Sequence, residues 1–406
     1  MTNQIPRKSP LDGVRVVDFT TFLSGPYCTQ ILGDLGAEVI KVEPFEGDSS
    51  RTIPPYFVGD DSAYFLSTNR NKRSIALNLK TADGQAAARA LIEKADIVVE
   101  NYRPGVAAKL GFDPKVIRAA QPRLIWVSIS GFGQEGPWSN RPAYDMTAQA
   151  LSGVMSLTGE PGRPSVRLGI PAGDTIAGMY ATIAALAALA DLRQSGEGQT
   201  IDISMLDCQL SMLSYQAQYA LVAGITPGPQ AAGHDSIPTY RSFMGRDGRQ
   251  FVITANTQRM WEQLCDVIGR PDLPAMTVFA SQKSRLINKQ DLWRILEASF
   301  ATEDAQHWID RLGASGVPVA PIRTVPEAIQ DAREHDRGMI IPLQHEDGRA
   351  IDMVATPIRM DNVVSPKGFP PALNEDAAYI LSDLLGMDAG QIEALTQSGA
   401  LLAQKP

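Results

Sequence analysis

Short apolar strand patterns alternate with helical patterns over the first half of the chain, and this alternation constrains the fold more than any other feature. Val14–Thr20 and Glu38–Glu43 are rich in β-branched residues and predict strands, with a helical stretch at Tyr27–Leu35 between them. Further strands are predicted at Ser74–Leu79, Asp96–Glu100, Leu124–Ser130 and Gln199–Ser204, and helices at Gly84–Lys94 and Cys208–Val222. Alternation of this kind predicts an α/β fold with a parallel sheet wrapped by helices.

A segment rich in glycine and proline, 223–233, separates this half from a region with a different pattern. Tyr240–Phe243 and Phe251–Ala255 flank a turn and predict an antiparallel hairpin. Helices are then predicted around Arg259–Ile268, Lys289–Phe300 and Ala305–Leu312, and, nearer the end of the chain, at Ala377–Leu385 and Gln391–Thr396. We therefore expect a second, smaller α+β domain in the middle of the chain.

Composition excludes several classes of protein. The chain of 406 residues has a net charge of −8, whereas a general nucleic-acid-binding protein usually presents a basic domain. Its three cysteines are far apart and odd in number, so we expect no disulfide framework and a cytoplasmic location. The four histidines lack metal-ligand spacing, so we expect no metal site. The segment 1–13 has no apolar stretch typical of a signal peptide, and Ala177–Ala190 is too short for a membrane span and predicts a buried helix.

Gly131, Gly133 and Gly136 have the GxGxxG spacing of a dinucleotide-binding turn, and they follow a predicted strand. The dinucleotide fingerprint also requires a helix that opens at the third glycine, whereas Pro137 and Trp138 follow here. We therefore interpret these glycines as a tight, exposed loop and do not predict NAD binding.

Positive charge gathers near the ends of two neighbouring predicted strands of this acidic chain. The cationic residues are Arg70, Lys72, Arg73, Lys80, Arg103 and Lys109. Ligands of parallel sheets bind beyond the carboxyl ends of the strands, and arginine and lysine pair with phosphate. The cluster favours a phosphorylated ligand, with an ordinary solvated rim of surface charge as the alternative.

Asp174 lies in the glycine-containing segment PAGDTIAG, just before the long apolar run. One interpretation is structural, because aspartate is favoured at the N-cap of a helix. The other is catalytic, because Gly173 and Gly178 would let another molecule approach the backbone, and an aspartate can attack an activated acyl group. The local sequence leaves both interpretations open.

Three further polar residues lie beside glycine-containing segments. Tyr144 and Asp145 follow the glycine loop, where they would either line a pocket or pack beneath it, and His234 lies in the segment GHDSIPTY. The spacing of serine, cysteine and histidine supports no Ser-His-Asp or Cys-His arrangement.

Seven segments in a fixed order carry a resemblance to the class III CoA-transferases, the family that includes formyl-CoA transferase and carnitine CoA-transferase. They are PLDGVRVVDFT, SGPYCTQILGDLGAEVIKVE, NRNKRSIALNLKT, VVENYRPG, ISGFGQEGP, PAGDTIAG and SGVPVAPI, and the resemblance runs from about Pro10 to Leu401. Through FVGDDSAYFLSTNRNKRSIALNLK and GHDSIPTYRSF the chain is most similar to the succinate–hydroxymethylglutarate CoA-transferase branch.

The resemblance implies a Rossmann-like large domain with a parallel sheet, a smaller α+β domain and an interlocked homodimer. It divides the chain into the N-terminal part of the large domain (1–222), a linker (223–236), the small domain (237–332), a second linker (333–344) and a C-terminal part that returns to the large domain (345–406). The two linkers would let two chains thread through each other.

The resemblance also implies a covalent mechanism, in which Asp174 matches the family's catalytic aspartate. Asp174 would attack an acyl-CoA thioester, giving an aspartyl anhydride and then an aspartyl-CoA thioester, from which CoA passes to an acceptor acid. Neither a metal nor a permanently bound cofactor is implied, because the thioester's energy is conserved. The implied substrates are an acyl-CoA, with succinyl-CoA as the leading donor, and a small carboxylic or dicarboxylic acid.

Contacts with coenzyme A are implied by position in the family's motifs. They fall on Leu23, Ser24, Leu77, Asn78, Leu79, Lys80, Asn101, Tyr102, Arg103, Lys109, Ala143, Tyr144 and Asp145. Pro44 stands where formyl-CoA transferase has an arginine, which puts one adenosine contact in doubt. The family's glycine-rich active-site loop is replaced by AAGHDSIPTY, so formate and oxalate are doubtful substrates and His234 is expected to face the acyl or acid portion.

Two other functions stay open. The same fold hosts α-methylacyl-CoA racemase, which pairs its aspartate with a histidine, and Tyr144 stands at that histidine's position in this chain. Tyrosine exchanges protons poorly at neutral pH, because its ordinary pKa is about 10. The remaining alternative is a CoA-binding protein without catalytic activity.

Overall fold

The computed structural model of the protein describes residues 9–361 and 367–403. Most of the segment in which no signal peptide was predicted therefore lies outside the described residues. Internal contacts divide the chain into two compact units. The large unit contains the chain up to Val154, Arg167–Gly224 and the chain from Asp336 onward, and the small unit contains Met155–Val166 and Ile225–His335.

The large unit is built on a six-stranded parallel sheet. Its strands are β1 (Arg15–Asp18), β2 (Glu38–Glu43), β3 (Lys72–Ala76), β4 (Ile97–Glu100), β5 (Ile125–Ser130) and β6 (Thr200–Ser204). They are ordered β3-β2-β1-β4-β5-β6, so the direction of winding reverses between β1 and β4. Ligands of such sheets bind at the carboxyl ends of the strands beside this switch point. The predicted α/β fold with a parallel sheet is confirmed.

Helices cover both faces of this sheet. The main ones are α1 (Ser24–Asp34), α2 (Ala82–Glu93), α3 (Asp145–Leu151), α4 (Ala172–Ser195) and α5 (Met205–Met212), with others at Ala63–Leu66, Val106–Lys109, Pro114–Ala120, Val154–Leu157 and Tyr215–Ala223. Val16 and Val127 face α1 and α4, and Val17 and Trp126 face α2 and the C-terminal segment. The alternation of strand side chains thus produces two buried cores, one on each face.

The first turns of α1 and α4 pack closely because Gly178 has no side chain. A Cβ atom there would lie 2.6 Å from the carbonyl oxygen of Ser24. Further along α4, Ala181 and Ala185 are fully buried. By length and composition α4 is the one helix among the described residues that is long and apolar enough to cross a membrane. Its alanine face is buried, whereas Met179, Tyr180 and Ile183 on the same helix are exposed, and the helix is longer than the predicted Ala177–Ala190.

Two helix boundaries differ from the sequence expectation. The helix α1 begins at Ser24, three residues before the predicted start at Tyr27. Pro26 lies in its first turn, where a proline costs no hydrogen bond because the first N–H groups have no partner within the helix. The single helix predicted over Cys208–Val222 is broken at Ser214, whose φ of 49° is left-handed. The second helix, Tyr215–Ala223, begins there.

The small unit contains an antiparallel sheet of β7 (Tyr240–Met244), β8 (Gln250–Thr254) and β9 (Val319–Pro321) in the order β9-β8-β7. Its helices are Gln258–Val267, Gln282–Ile287, Lys289–Phe300, Ala305–Ala314 and Val325–Glu334. Phe251, Trp261 and Phe300 are buried in its core. The hairpin and three of the helices occupy the predicted positions, whereas β9 and the remaining helices were not predicted.

The C-terminal part of the large unit packs beside β3. A hairpin of Ile340–Gln344 and Ala350–Val354 begins inside the segment predicted as the second linker. A π-helix (Tyr379–Leu384) and an α-helix (Ala389–Gln397) follow. Asp376 accepts a hydrogen bond from the backbone N–H of Ser74 at 2.9 Å, which fixes this segment to the sheet edge. Part of the proline-rich crossing before it lies outside the described residues. A short pairing of Phe57–Val58 with Asp61–Ser62 completes the strands.

Candidate active site

A pocket of about 210 Å³ lies at the carboxyl ends of the strands next to the switch point of the parallel sheet. Seven of the predicted site residues line it: Ser24, Asn101, Tyr102, Arg103, Ala143, Tyr144 and Asp174. Phe22, Ser130 and Arg141 line it as well and were not predicted. The chain thus gathers one carboxylate and two guanidinium groups in one place from segments far apart in sequence.

Asp174 lies inside the first turn of α4, and Pro171 occupies the N-cap position. The N-cap interpretation is therefore wrong, because a capping side chain must precede the helix to reach its free N–H groups. Burial raises the pKa of the Asp174 carboxyl to about 7, and the nearby charge of Asp145 contributes to the increase. At neutral pH this group exchanges readily between its acid and its nucleophilic carboxylate form.

Asp145 anchors the backbone next to Asp174. Its Oδ1 accepts a hydrogen bond from the N–H of Gly173 at 2.7 Å, and its Oδ2 accepts one from Gln149 at 2.7 Å. A Cβ atom on Gly173 would lie 2.2 Å from Nε2 of Gln209 and 2.9 Å from Oδ1 of Asp145, so a larger residue there would have to displace these side chains. The predicted contact of Asp145 with coenzyme A stays a prediction, and the described contacts give this carboxylate a structural task.

Asn101 and Glu100 shape the loop that follows β4. The side chain of Asn101 donates to the carbonyl of Thr21 at 2.8 Å and accepts from its N–H at 2.9 Å. Glu100 accepts a hydrogen bond from the N–H of Tyr102 at 2.8 Å, and burial raises the pKa of Glu100 to about 7. These contacts fix the turn that carries Arg103 into the pocket.

The remaining residues predicted to bind coenzyme A lie before α1, after β3 and, for Lys109, in the short helix after β4. Leu23 and Leu77 are buried, Leu79 packs in the same apolar cluster as Tyr102, and Lys80 and Lys109 are exposed. Asn78 donates to the carbonyl of Gly399 at 3.2 Å and accepts from the N–H of Lys80 at 3.1 Å. The role of these residues in binding coenzyme A stays a prediction.

Half of the predicted phosphate-binding cluster is engaged in ion pairs. Arg70 is buried against Asp34 at 2.5 Å, and Lys72 is buried against Asp18 at 3.1 Å. Arg73 pairs with Asp376 at 2.9 Å. The buried cations Arg70 and Lys72 are not accessible to a phosphate, so the prediction is wrong for these two residues, whereas it stays a prediction for the partly exposed Arg73.

The glycine loop after β5 is a loop as expected, and the next helix, α3, begins only at Asp145. Gly133 and Gly136 have φ values of 84° and 93°, which favour glycine. A Cβ atom on Gly131 would lie 2.2 Å from that of Ala143, so this glycine allows the loop to approach the pocket wall.

His234 belongs to the small unit. Its ring stacks on Tyr240 with ring centroids 5.5 Å apart, and its Nδ1 lies 3.0 Å from Asp235. The expectation that His234 faces a substrate stays a prediction. Among the described residues, no group of three or more histidine, cysteine, aspartate or glutamate side chains could hold a metal ion.

Tyr64 is a neighbour of the site that the sequence analysis missed. Burial raises the pKa of its phenol, and the charges of Asp174 and Asp145 contribute, which places the phenol within electrostatic range of both carboxylates. Arg141 was missed too; its guanidinium lies 4.5 Å from the ring centre of Trp138. Neither position carries a sequence pattern that distinguishes it from ordinary surface residues.

Comparison with known proteins identifies the family. The model of CoA-transferase family III matches residues 11–377. The chain is 36% identical over 394 residues to a succinyl-CoA:glutarate CoA-transferase of Mus musculus, covering 97% of this chain and 90% of that protein. It is also 36% identical over 395 residues to an acetyl-CoA:oxalate CoA-transferase of Acetobacter aceti, covering 96% of this chain and all (100%) of that protein.

A solved structure shares the fold. The crystal structure of a CaiB/BaiF family protein from Brucella suis superposes with a TM-score of 0.84 at 35% identity, covering 93% of this chain and 100% of that chain. The family model and the names of the two relatives favour CoA transfer over the racemase and non-catalytic alternatives. The chain belongs to CoA-transferase family III and is a CoA-transferase.

Proposed function

We propose that Asp174 is the nucleophile that carries the acyl group and coenzyme A between substrates. The observation that carries this proposal is a carboxyl with a pKa raised to about 7, lining a pocket at the switch point of the parallel sheet. A carboxylate in such a place is more basic than an ordinary aspartate and therefore a stronger nucleophile.

The reaction balances without another reagent. The Asp174 carboxylate attacks the donor thioester carbonyl. The C–S bond breaks, which releases CoA thiolate and forms an anhydride between Asp174 and the acyl group. The thiolate then attacks the aspartyl carbonyl and releases the donor acid, which leaves an aspartyl-CoA thioester. The acceptor carboxylate attacks this thioester, forming a second anhydride. The returning thiolate forms the new acyl-CoA and frees Asp174.

Each attack creates an oxyanion that needs hydrogen-bond donors. The start of α1 is a suitable source, because Ser24 lines the pocket and the N-cap Leu23 provides no side-chain cap. The first N–H groups of a helix have no intrahelical partner and carry partial positive charge. Gly178 packs α4 against this same turn, and Asp174, one turn earlier in α4, lines the pocket together with Ser24.

We propose succinyl-CoA as donor and a small dicarboxylic acid as acceptor. Arg103 and Arg141 line the pocket, and neither forms an ion pair with a carboxylate of the described chain. Two available guanidinium groups suit a substrate that carries both phosphates and a free carboxylate. The relative from mouse is named for succinyl-CoA and glutarate, but the equally similar relative from Acetobacter aceti is named for acetyl-CoA and oxalate.

Mass spectrometry tests both steps. Purified protein is incubated with succinyl-CoA or acetyl-CoA and with glutarate, oxalate, mesaconate or butyrate, beside Asp174→Ala and the control Asp191→Ala at the exposed end of α4. We expect glutaryl-CoA from succinyl-CoA with the wild type and the control only. Intact protein given donor alone should gain the mass of CoA less water on Asp174. Transfer by Asp174→Ala, or deuterium incorporation at the α-carbon of an acyl-CoA in heavy water, would overturn the assignment.

We also propose that the protein is a homodimer with interlocked chains. Several large apolar side chains on the helices of the large unit are exposed: Met179, Tyr180, Ile183, Leu210, Leu221 and Val222. Exposed apolar surface of this extent is typical of an interaction surface. Light scattering after size-exclusion chromatography should give twice the chain mass, and a monomer would contradict the proposal. The cytoplasmic location stays a prediction.

A further inference from the structure

Phe22 has a backbone conformation that a bulky residue rarely adopts. Its φ is 63°, in the left-handed region that favours glycine. Residues held in such conformations persist only where the surroundings impose them, and they cluster at functional sites. Phe22 lines the pocket that holds Asp174, and its ring meets the edge of Tyr144 with centroids 6.2 Å apart.

Buried side chains fix each residue that leads to Phe22. Asp18 accepts a hydrogen bond from the N–H of Thr20 at 2.8 Å, and Lys41 donates to the carbonyl of Thr20 at 2.7 Å. Asn101 holds both backbone groups of the next residue, Thr21. The segment from β1 to α1 is therefore held by side chains from other elements.

Asp48 imposes the conformation of Phe22 itself. Its Oδ1 accepts the N–H of Phe22 at 3.2 Å and that of Ser50 at 2.9 Å. Its Oδ2 lies 2.9 Å from Nζ of Lys41, and both side chains are fully buried. Although burial alone would raise the pKa of Asp48, Lys41 and the backbone donors lower that pKa to about 2, so the pair is ionised.

We propose that the buried Lys41–Asp48 ion pair is a positioning element for CoA transfer, which holds Phe22 and the entrance of α1 in place against the Asp174 pocket. This inference rests on the proposed location of the active site. Asp48 touches neither Asp174 nor any residue of the helix that carries it in the described contacts, so the pair acts through the segment Thr20–Leu23.

Kinetics of the full-length protein test the proposal with succinyl-CoA and glutarate. Asp48→Ala should lower kcat by about 10²-fold, because small displacements of a pocket wall cost about that much in rate. The KM for succinyl-CoA should change much less than kcat. In a Phe22→Gly background the same change should cost less than about fivefold, because glycine adopts a left-handed φ without help.

The matched control is Asp34→Ala, which breaks the buried pair of Asp34 with Arg70 at the other end of α1. It should lower the melting temperature while kcat per folded molecule stays near that of the wild type. If Asp48→Ala does not fold, Asp48→Asn replaces it in the same cycle, because this change keeps the side-chain volume but removes the charge by which Lys41 holds the side chain in place. Unchanged kcat in the Asp48 variant, or an equal loss in the wild-type and Phe22→Gly backgrounds, would overturn the proposal. Activity of Asp174→Ala would instead overturn the active site itself.

Discussion

The charges of the β1–β3 side of the sheet and those around Asp174 are arranged in opposite ways. Beside β1, Asp18 lies between Lys72 and Lys41, which together hold the pKa of its carboxyl low although burial alone would raise it. Around Asp174 the neighbouring charge is another carboxylate, Asp145, and the pKa rises to about 7. Positive neighbours thus keep the buried Asp18 carboxyl ionised, whereas a negative neighbour and burial leave the Asp174 carboxyl close to its titration point at neutral pH.

The largest expected effect comes from removing the carboxylate of Asp174. Asp174→Asn should lower kcat/KM by about 10⁴-fold or more, as for other covalent nucleophiles. Because folding raises the pKa of Asp174 from 3.8, its ionised form destabilises the fold, most strongly above pH 7. The variant should therefore melt no lower than the wild type at pH 8, with any gain shrinking as the pH falls from 7 towards 4. Differential scanning calorimetry at several pH values measures the sign of this change in stability. A lower melting temperature of the variant at pH 8 would contradict the expectation that ionised Asp174 destabilises the fold.

Breaking the buried ion pair of Lys72 with Asp18 should instead lower the stability of the fold. Lys72→Met leaves Asp18 buried without this partner, so the free energy of unfolding should fall by about 3–5 kcal/mol. The matched control is Arg15→Met, which removes the half-exposed pair with Glu38 at 2.8 Å. That control should cost about 1 kcal/mol or less. Urea denaturation measures both, and equal losses would show that burial does not govern the strength of these pairs.

The smallest expected effect is a shift in the pKa of Asp174 when the charge of Asp145 is removed. Asp145→Asn keeps an oxygen acceptor for the N–H of Gly173 but removes a negative charge, so the pKa of Asp174 should fall. The kcat/KM of the wild type should rise with pH to a plateau above pH 7, as the nucleophile ionises. The midpoint of this rise should move down by about one pH unit in the variant. An unchanged midpoint would mean that burial alone sets the pKa; Asp191→Asn serves as the control.

The strands of the large sheet were predictable because most of them are short runs rich in β-branched residues. Glu38–Glu43 was predicted with its observed bounds. The buried charge of Lys41 within it was not predicted, since its partner Asp48 lies beyond the strand and only the fold brings the two together. The break at Ser214 was missed for a related reason, because the helical pattern continues through it.

The candidate site was predictable where a motif of the family marks it, and not elsewhere. Asp174 and the residues Asn101–Arg103 line one pocket, as the resemblance implied. Tyr64 and Arg141 carry no local pattern, and only the fold brings Arg141 into the pocket wall and Tyr64 within electrostatic range of Asp174. The role of Gln209 against Gly173 depends on a contact between two helices, which no spacing in the sequence reveals.

The contact at Gly178 has a consequence for repeated turnover. The backbones of α1 and α4 are in close contact there. The distance between the two helices is therefore set by helix packing and does not depend on a loop. In the proposed cycle the carbonyl of Asp174 is attacked twice per exchange, first by CoA thiolate and then by the acceptor carboxylate, and each time it must return to the same donors. Because Gly178 lacks a Cβ atom, the two helices would keep the same close contact, and the aspartyl carbonyl the same position, in every turnover.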